Sequence, residues 1–364
     1  QAQAAAAGGH GASAVPAAVT YSARRLLRRS AMRPLPLLPL LAAAGAVAGR
    51  PSDWTTCGGL RDGIANTACP SRTATCCAQK WMPSEGKFGC CPYPRATCCS
   101  NGYTCCPEGT VCRDVGSGWS VTSACVDANG TAKEPGTEGG GQEVCKTGGP
   151  LPFDPARKNV IILGDSVSIG YTPKVAAILR DVALVQHSPW GGDGGAEETK
   201  YGWLCLDFLL RAPDGTPQRP DVLYFNFGLH NLDEKRVPGQ SGPTEEYAPF
   251  LDKIAKRLAS LSPTTSVVFG ITTPEMCDAQ LDAVVTNNSR AAVRLMARHG
   301  IPTVDMHGPL VEECGPAPNS TCLGINSCFC PHCTAEGYQW IAERTIAPAI
   351  RRALEKRSRE PITV

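Results

Sequence analysis

Two folds of different kinds are expected in this chain. One is an α/β domain on a doubly wound, five-stranded, mainly parallel sheet; the other is a small disulfide-rich stack of β-hairpins. From Asn159 onward, short β-branched runs alternate with stretches of helical periodicity. Between Cys57 and Cys125, cysteines recur singly and in adjacent pairs. Residues 126–150, rich in Gly, Glu and Thr, separate the two patterns and read as a flexible linker.

A length of 364 residues accommodates two such modules with a leader, residues 1–48. The formal net charge of +2 gives no basic surface for a nucleic-acid partner. Five arginines from Arg24 to Arg33 precede the apolar run "LPLLPLLAAAGAVAG", which ends in Ala46-Val47-Ala48. That order predicts a cleaved signal peptide and a secreted protein. The run is short and holds prolines, so no stable membrane span is expected. Twenty cysteines agree with an oxidising compartment. Asn129, Asn287 and Asn319 each begin a glycosylation sequon.

In the first module Cys57 and Cys69 are followed by the pairs Cys76-Cys77, Cys90-Cys91, Cys98-Cys99 and Cys105-Cys106, then by Cys112 and Cys125. Adjacent residues of a strand point to opposite faces, so each pair can bridge to the hairpin before and the hairpin after. A chain stapled in this way needs little hydrophobic core. With "CCPYPRATCCSNGYTCCPEGTVC" at its centre, residues 57–125 resemble the granulin (epithelin) module, though "NGYTCCP" lacks that module's usual His. The resemblance implies a recognition module with a protein partner, or a structural stalk. Cys145 is left over, as is one of seven cysteines downstream, and a Cys145 bridge to the second domain would resolve both.

The strands expected in residues 151–364 are "NVIILGDS", "VALVQ", "VLYFNFG", "SVVFGITTP" and "TVDMH". Helical patterns lie between them, and Thr334 is placed to cap a last helix with Glu336 in its first turn. Chemistry in such folds gathers at the carboxyl ends of the strands. There the sequence offers Ser166 at a strand-to-helix turn, the glycine-rich "WGGDGGAEET", then Gly228, His230 and Asn231, and finally His332. A serine, two oxyanion donors and a histidine base make a coherent ester-cleaving set.

This order resembles the SGNH (GDSL-type) hydrolase family over roughly residues 157–358, which implies a three-layer, flavodoxin-like fold and a serine esterase needing no cofactor or metal. Ser166 matches the family nucleophile and Gly192 the glycine of the second block, with Gly191 and Gly194 as rivals. "GLHN" puts His230 at the usual Asn donor position, while chemistry prefers Asn231; both are carried. The family's acid stands three residues before its histidine, where this chain has Phe329. His332 is therefore expected to work in a dyad, or with a remote acid such as Asp305 at the end of the fifth strand. The "CFCPHC" cysteines are expected in disulfides rather than on zinc, because Cys-x-Cys-x-His-Cys is too crowded for one tetrahedral ion. His187 and His307 are expected to pack or cap, and His299 to lie on the surface.

The expected function is a secreted carboxylic-ester hydrolase acting on a small-molecule, glycan or lipid ester. The competing class is an extracellular binding or matrix protein that keeps the scaffold without turnover.

Overall fold

The computed structural model describes residues 54–56, 68–70, 75–78, 88–102, 104–115, 122–133, 142–145, 153–188, 195–211, 218–233, 241–319, 328–329 and 331–359. The expected leader, residues 1–48, lies outside them.

The cysteine-rich module is a series of short antiparallel strands: β1 (Trp54–Thr56), β2 (Ala68–Pro70), β3 (Thr75–Ala78), β4 (Phe88–Cys91), β5 (Thr97–Cys98), β6 (Thr104–Cys106), β7 (Val111–Val115) and β8 (Thr122–Val126). Disulfides Cys69–Cys90, Cys77–Cys98, Cys91–Cys105, Cys99–Cys112 and Cys106–Cys125 step along them. Members of one adjacent pair bridge in opposite directions: Cys90 back to Cys69, Cys91 forward to Cys105. Alternation of side chains along a strand makes this ladder possible. The interior is largely sulfur, with Cys77, Cys91 and Cys105 buried against Val144.

The stretch expected to be a linker holds further structure. β9 (Ala132–Lys133) extends the β7–β8 sheet, and β10 (Gln142–Glu143) pairs with β6. Cys145 exchanges both backbone hydrogen bonds with Cys90 at 3.0 Å and forms a disulfide with Cys205 of the second domain. Phe208, three residues beyond Cys205, packs on the Cys69–Cys90 bridge. At these residues the segment completes the module and fastens it, because backbone pairing and a covalent bond satisfy what Gly and Glu side chains cannot.

The second domain is a five-stranded, all-parallel sheet ordered β12-β11-β13-β14-β15. Its strands are β11 (Lys158–Leu163), β12 (Ala183–Ser188), β13 (Val222–Asn226), β14 (Ser266–Ile271) and β15 (Thr303–Asp305). Its helices are α1 (Ser166–Leu179), α2 (Thr199–Leu209), α3 (Thr244–Ala259), α4 (Ala279–Arg298), α5 (His307–Cys314), α6 (Ala335–Ile341) and α7 (Ala347–Arg359); a π-helical turn, Ala342–Ile346, joins the last two. Val160 and Ile162 face a core shared with α1, α5 and the α6–α7 run; Ile161 and Leu163 face α2, α3 and α4. Alternation along one strand thus builds both cores, and burial on both faces explains the unbroken apolar run. The connections reverse direction about β11, so a crevice opens beyond its carboxyl end. Among the described residues no helix is long and apolar enough to cross a membrane.

Of the sequons, Asn129 and Asn287 are exposed, whereas Asn319 is half-buried and its amide donates to the Cys314 carbonyl. The Cys145–Cys205 bridge closes a separation of 60 residues. The double variant Cys145→Ser, Cys205→Ser is expected to lose up to about 4 kcal/mol of stability, read as a lower Tm in thermal denaturation. A loss below about 0.5 kcal/mol would mean that β10 pairing and Phe208 packing hold the joint unaided.

Candidate active site

β11 ends in a tight turn that begins α1. Asp165 is the N-cap, and its Oδ1 accepts the N–H groups of Val167 (3.1 Å) and Ser168 (3.3 Å). This puts Ser166 at the first helical position, half-buried, with its N–H among those a helix leaves unpaired within itself. The turn is closed by the end of the glycine-rich loop, where Ala196 N–H donates to Gly164 O at 2.7 Å and Gly195 bridges Asp165. Gly195 has φ +70°, and a Cβ there would come within 2.2 Å of Gly164 O, so only glycine fits. Gly191, Gly192 and Gly194, the expected oxyanion glycine and its rivals, lie outside the described residues.

His332 comes from a hairpin of β16 (Cys328–Phe329) and β17 (His332–Cys333), in which Phe329 stands opposite His332. His332 Nε2 lies 2.8 Å from Ser166 Oγ, across 166 residues of sequence. Thr334 caps α6 through Gly337 N–H, as expected. Tyr338 of α6 then lies against Gly170 of α1, where an added Cβ would meet the ring at 2.2 Å. The close approach of α6 to α1 therefore sets where the histidine hairpin sits. Cys333 is disulfide-bonded, as are Cys277 and Cys314, which takes the Cys333 sulfur out of any zinc thiolate set. The sulfurs of Cys99, Cys106 and Cys112 also lie close together, but each is already in a disulfide.

The two candidate donors after β13 are placed very differently. Asn231 is fully buried; its Oδ1 accepts Thr199 N–H at 3.1 Å and its Nδ2 donates to Pro243 O at 3.3 Å. Its amide ties the start of α2 to the start of α3. His230 is half-buried and within electrostatic reach of Asp165. Asp305 Oδ1 accepts from His307 N–H (2.8 Å) and Gly308 N–H (3.0 Å) at the start of α5. His307 Nε2 sits 3.0 Å from Asp282 and His299 Nε2 2.8 Å from Asp252, so His299 is a partly buried, paired residue rather than a plain surface one.

Sequence reasoning passed over the layer beneath Ser166. Ser168 is fully buried, and its hydroxyl donates to Asp165 O at 2.6 Å. His187 Nε2 lies 2.6 Å from the same oxygen. A hydroxyl has one proton, so His187 must be the donor there and is no base for Ser168. Asp165 itself has no exposed surface. Burial raises its carboxyl above the ordinary range, opposed by His230, the two backbone N–H groups and His332. The signal for this residue was in "GDS", whose Asp reads as an ordinary turn former.

Glu198 caps α2, with Oε1 accepting from Tyr201 N–H (2.7 Å) and Oε2 from Lys200 N–H (2.6 Å). Glu197 before it has φ +55°, an unusual backbone for a non-glycine residue. Burial pushes Glu198 from 4.5 up to about 7 against those hydrogen bonds, with Glu246 adding to the rise.

The architecture defines the class of the second domain: a doubly wound α/β sheet whose crevice holds a serine and a histidine from distant loops. Residues 80–118 match the family model described as granulin. Human progranulin is 54% identical over 48 residues, covering 13% of this chain and 7% of that protein. The pars intercerebralis major peptide D1 of Locusta migratoria is 50% identical over 44 residues, 12% of this chain and 72% of the peptide. By its cysteine-rich module, then, the chain belongs to the granulin family, although it spans only a small part of the progranulins. Solved structures similar to it include the acetyl xylan esterase AlAXEase, at 16% identity and TM-score 0.40 over 51% of this chain and 96% of that one. A lipase/acylhydrolase from Enterococcus faecalis aligns at 13% identity and TM-score 0.40, over 55% of this chain and 96% of its own.

Gly170→Ala is expected to push Tyr338 outward and separate His332 from Ser166, destabilising by about 1–3 kcal/mol; chemical denaturation and a crystal structure of the variant check it. Glu198 has a folded value above its unfolded one, so the folded state holds the extra proton. The stability it contributes is full below about 4.5 and is lost as pH rises through about 7. Glu198→Gln, which keeps a capping oxygen, should flatten that dependence by an amount on the order of 3 kcal/mol, measured as stability against pH.

Proposed function

We propose that the protein is a secreted carboxylic-ester hydrolase in which Ser166 is the nucleophile and His332 its base. The observation that carries this reading is the 2.8 Å contact between Ser166 Oγ and His332 Nε2 at the crevice. With Nδ1 protonated, Nε2 offers its lone pair to the hydroxyl. As Oγ attacks the ester carbonyl, its proton passes to Nε2 and returns to the leaving alcohol oxygen. Water then cleaves the acyl-enzyme by the same route.

The oxyanion would be met by the Ser166 N–H at the start of α1 and the His230 side chain, with Gly192 as a third donor. Asn231 is disfavoured for that role because its side chain is fully buried and held between Thr199 N–H and Pro243 O rather than presented to the crevice. Secretion is supported by the disulfide ladder, which a reducing cytosol would not maintain. The exposed site suits a short acyl group on a small molecule, glycan or lipid, and the granulin module would supply a protein contact or a stalk.

Labelling with a fluorophosphonate and hydrolysis of 4-nitrophenyl acetate test the reading. Wild type should label at Ser166, and Ser166→Ala should lose label and at least about 1,000-fold in kcat. Folded wild type that neither labels nor hydrolyses short esters would leave the scaffold as a binding or matrix protein.

A further inference from the structure

Ser168 lies in the first turn of α1 with no exposed surface, and its hydroxyl donates to Asp165 O at 2.6 Å. Serines and threonines in helices often bond back to a carbonyl one turn earlier, as Thr172 does to Ser168 O and Thr345 to Ile341 O. Two things set Ser168 apart. Behind its oxygen stands His187 Nε2 at 2.6 Å, and the carbonyl in front belongs to the peptide unit that carries the Ser166 N–H.

His187 is buried on β12, beside Ile162 of β11 and just below the turn. An imidazole in a sheet core is costly unless it is hydrogen-bonded. The one hydroxyl proton of Ser168 is engaged by Asp165 O, so His187 is the donor to Ser168. The neutral phenol of Tyr171, on the same helix, also acts on Ser168. Asp165 O accepts twice, from the Ser168 hydroxyl and from Ile169 N–H at 3.1 Å. Donation therefore runs from His187 to Ser168 to Asp165 O, and across one resonant peptide bond to the Ser166 N–H.

A donor on a peptide oxygen draws electron density from the nitrogen, and the N–H becomes more strongly polarised. Chains of such bonds reinforce one another in a low-dielectric interior. We propose that Ser168 and His187 form a hydrogen-bonded relay that polarises the Asp165–Ser166 peptide and strengthens the Ser166 N–H as an oxyanion donor. This rests on the esterase reading above. When Ser166 Oγ bonds to the ester carbon, the carbonyl π pair moves onto oxygen and the hydroxyl proton passes to His332 Nε2. The relay protons stay on their own atoms. A polarised N–H attracts the oxyanion more than the neutral carbonyl, so the relay favours the transition state over bound substrate. Both side chains are buried and act through the Ser166 backbone, which makes them positioning residues.

The test compares wild type with Ser168→Ala, Ser168→Cys and His187→Phe in the full chain. Hydrolysis of 4-nitrophenyl acetate gives kcat and KM, and NMR follows the Asp165 carbonyl carbon and the Ser166 amide. Losing an oxyanion donor outright costs about 100- to 1,000-fold, so weakening one in Ser168→Ala should lower kcat at least about 10-fold. KM should stay within about threefold. Ser168→Cys, with a weak donor, should fall between, and His187→Phe should lose less than Ser168→Ala because the hydroxyl remains. Both NMR signals should move upfield in the same order. A folded Ser168→Ala with wild-type kcat and unmoved signals would overturn the proposal, as would a loss confined to KM. If Ser168→Ala does not fold, Ser168→Cys and His187→Phe decide by the same criteria. Failure of all three to fold would assign the pair to holding the turn alone and overturn the relay too. Wild type that neither labels with fluorophosphonate nor turns over, while the signals still move in order, would sink the esterase reading and leave the polarised peptide standing.

Discussion

Everything at the crevice depends on the turn at Gly164-Asp165-Ser166. α1 starts from it, and two segments distant in sequence are pinned to it: the end of the glycine-rich loop and the histidine hairpin. Tight space enforces this. A Cβ at Gly164 would come within 2.7 Å of Ser168 Oγ, and one at Gly195 within 2.2 Å of Gly164 O. The backbone approaches more closely than side chains allow, and the hydrogen bond from Ala196 to Gly164 holds it there. Ser166 is presented because its neighbours have no room to move.

Below the turn lies a polar layer that a hydrophobic core would not normally hold. Ser168 bonds to His187, and the hydroxyl of Tyr224 points to the sulfur of Met306 at 3.3 Å. The Tyr171 and Tyr224 rings meet edge-on at 6.4 Å. Burial raises both phenols, so they remain neutral and contribute shape and dipoles rather than charge. Asp165 is a fully buried carboxyl set into this layer, and burial raises it above the ordinary carboxylate range.

The two modules solve the stability problem by opposite means. The α/β domain buries aliphatic side chains on both faces of its sheet, whereas the granulin module replaces a core with stepped disulfides. They meet where Cys145 and Phe208 bring one strategy against the other. A covalent bond into α2 matters because α2 starts at Glu198 and Thr199, beside Asn231 and the crevice loops.

The central strands were legible in the sequence because burial on both faces calls for nearly continuous apolar runs, as in residues 160–163 and 222–225; the edge strand Thr303–Asp305 is largely exposed. That the paired cysteines staple successive hairpins was legible because adjacent residues of a strand point to opposite faces, whereas which cysteine bridges which was decided by the folded module. Ser166, His332 and the Thr334 cap followed from their position beside such elements. The helix α5, the β16–β17 hairpin and the π-helical turn were not, since each is short and depends on its neighbours rather than on a period. Spacing along a strand end could not choose between His230 and Asn231, because the direction each side chain faces depends on where the chain turns. Nor could it reveal that Asp305 starts a helix, or that residues 132–133 and 142–145 pair with the module. By itself, then, the sequence determined the strands of the central sheet and the spacing of the cysteines, which are local in the chain. Only the tertiary structure decided the partners of His332 and the burial of Asp165, because those are set by which distant segments share one crowded turn.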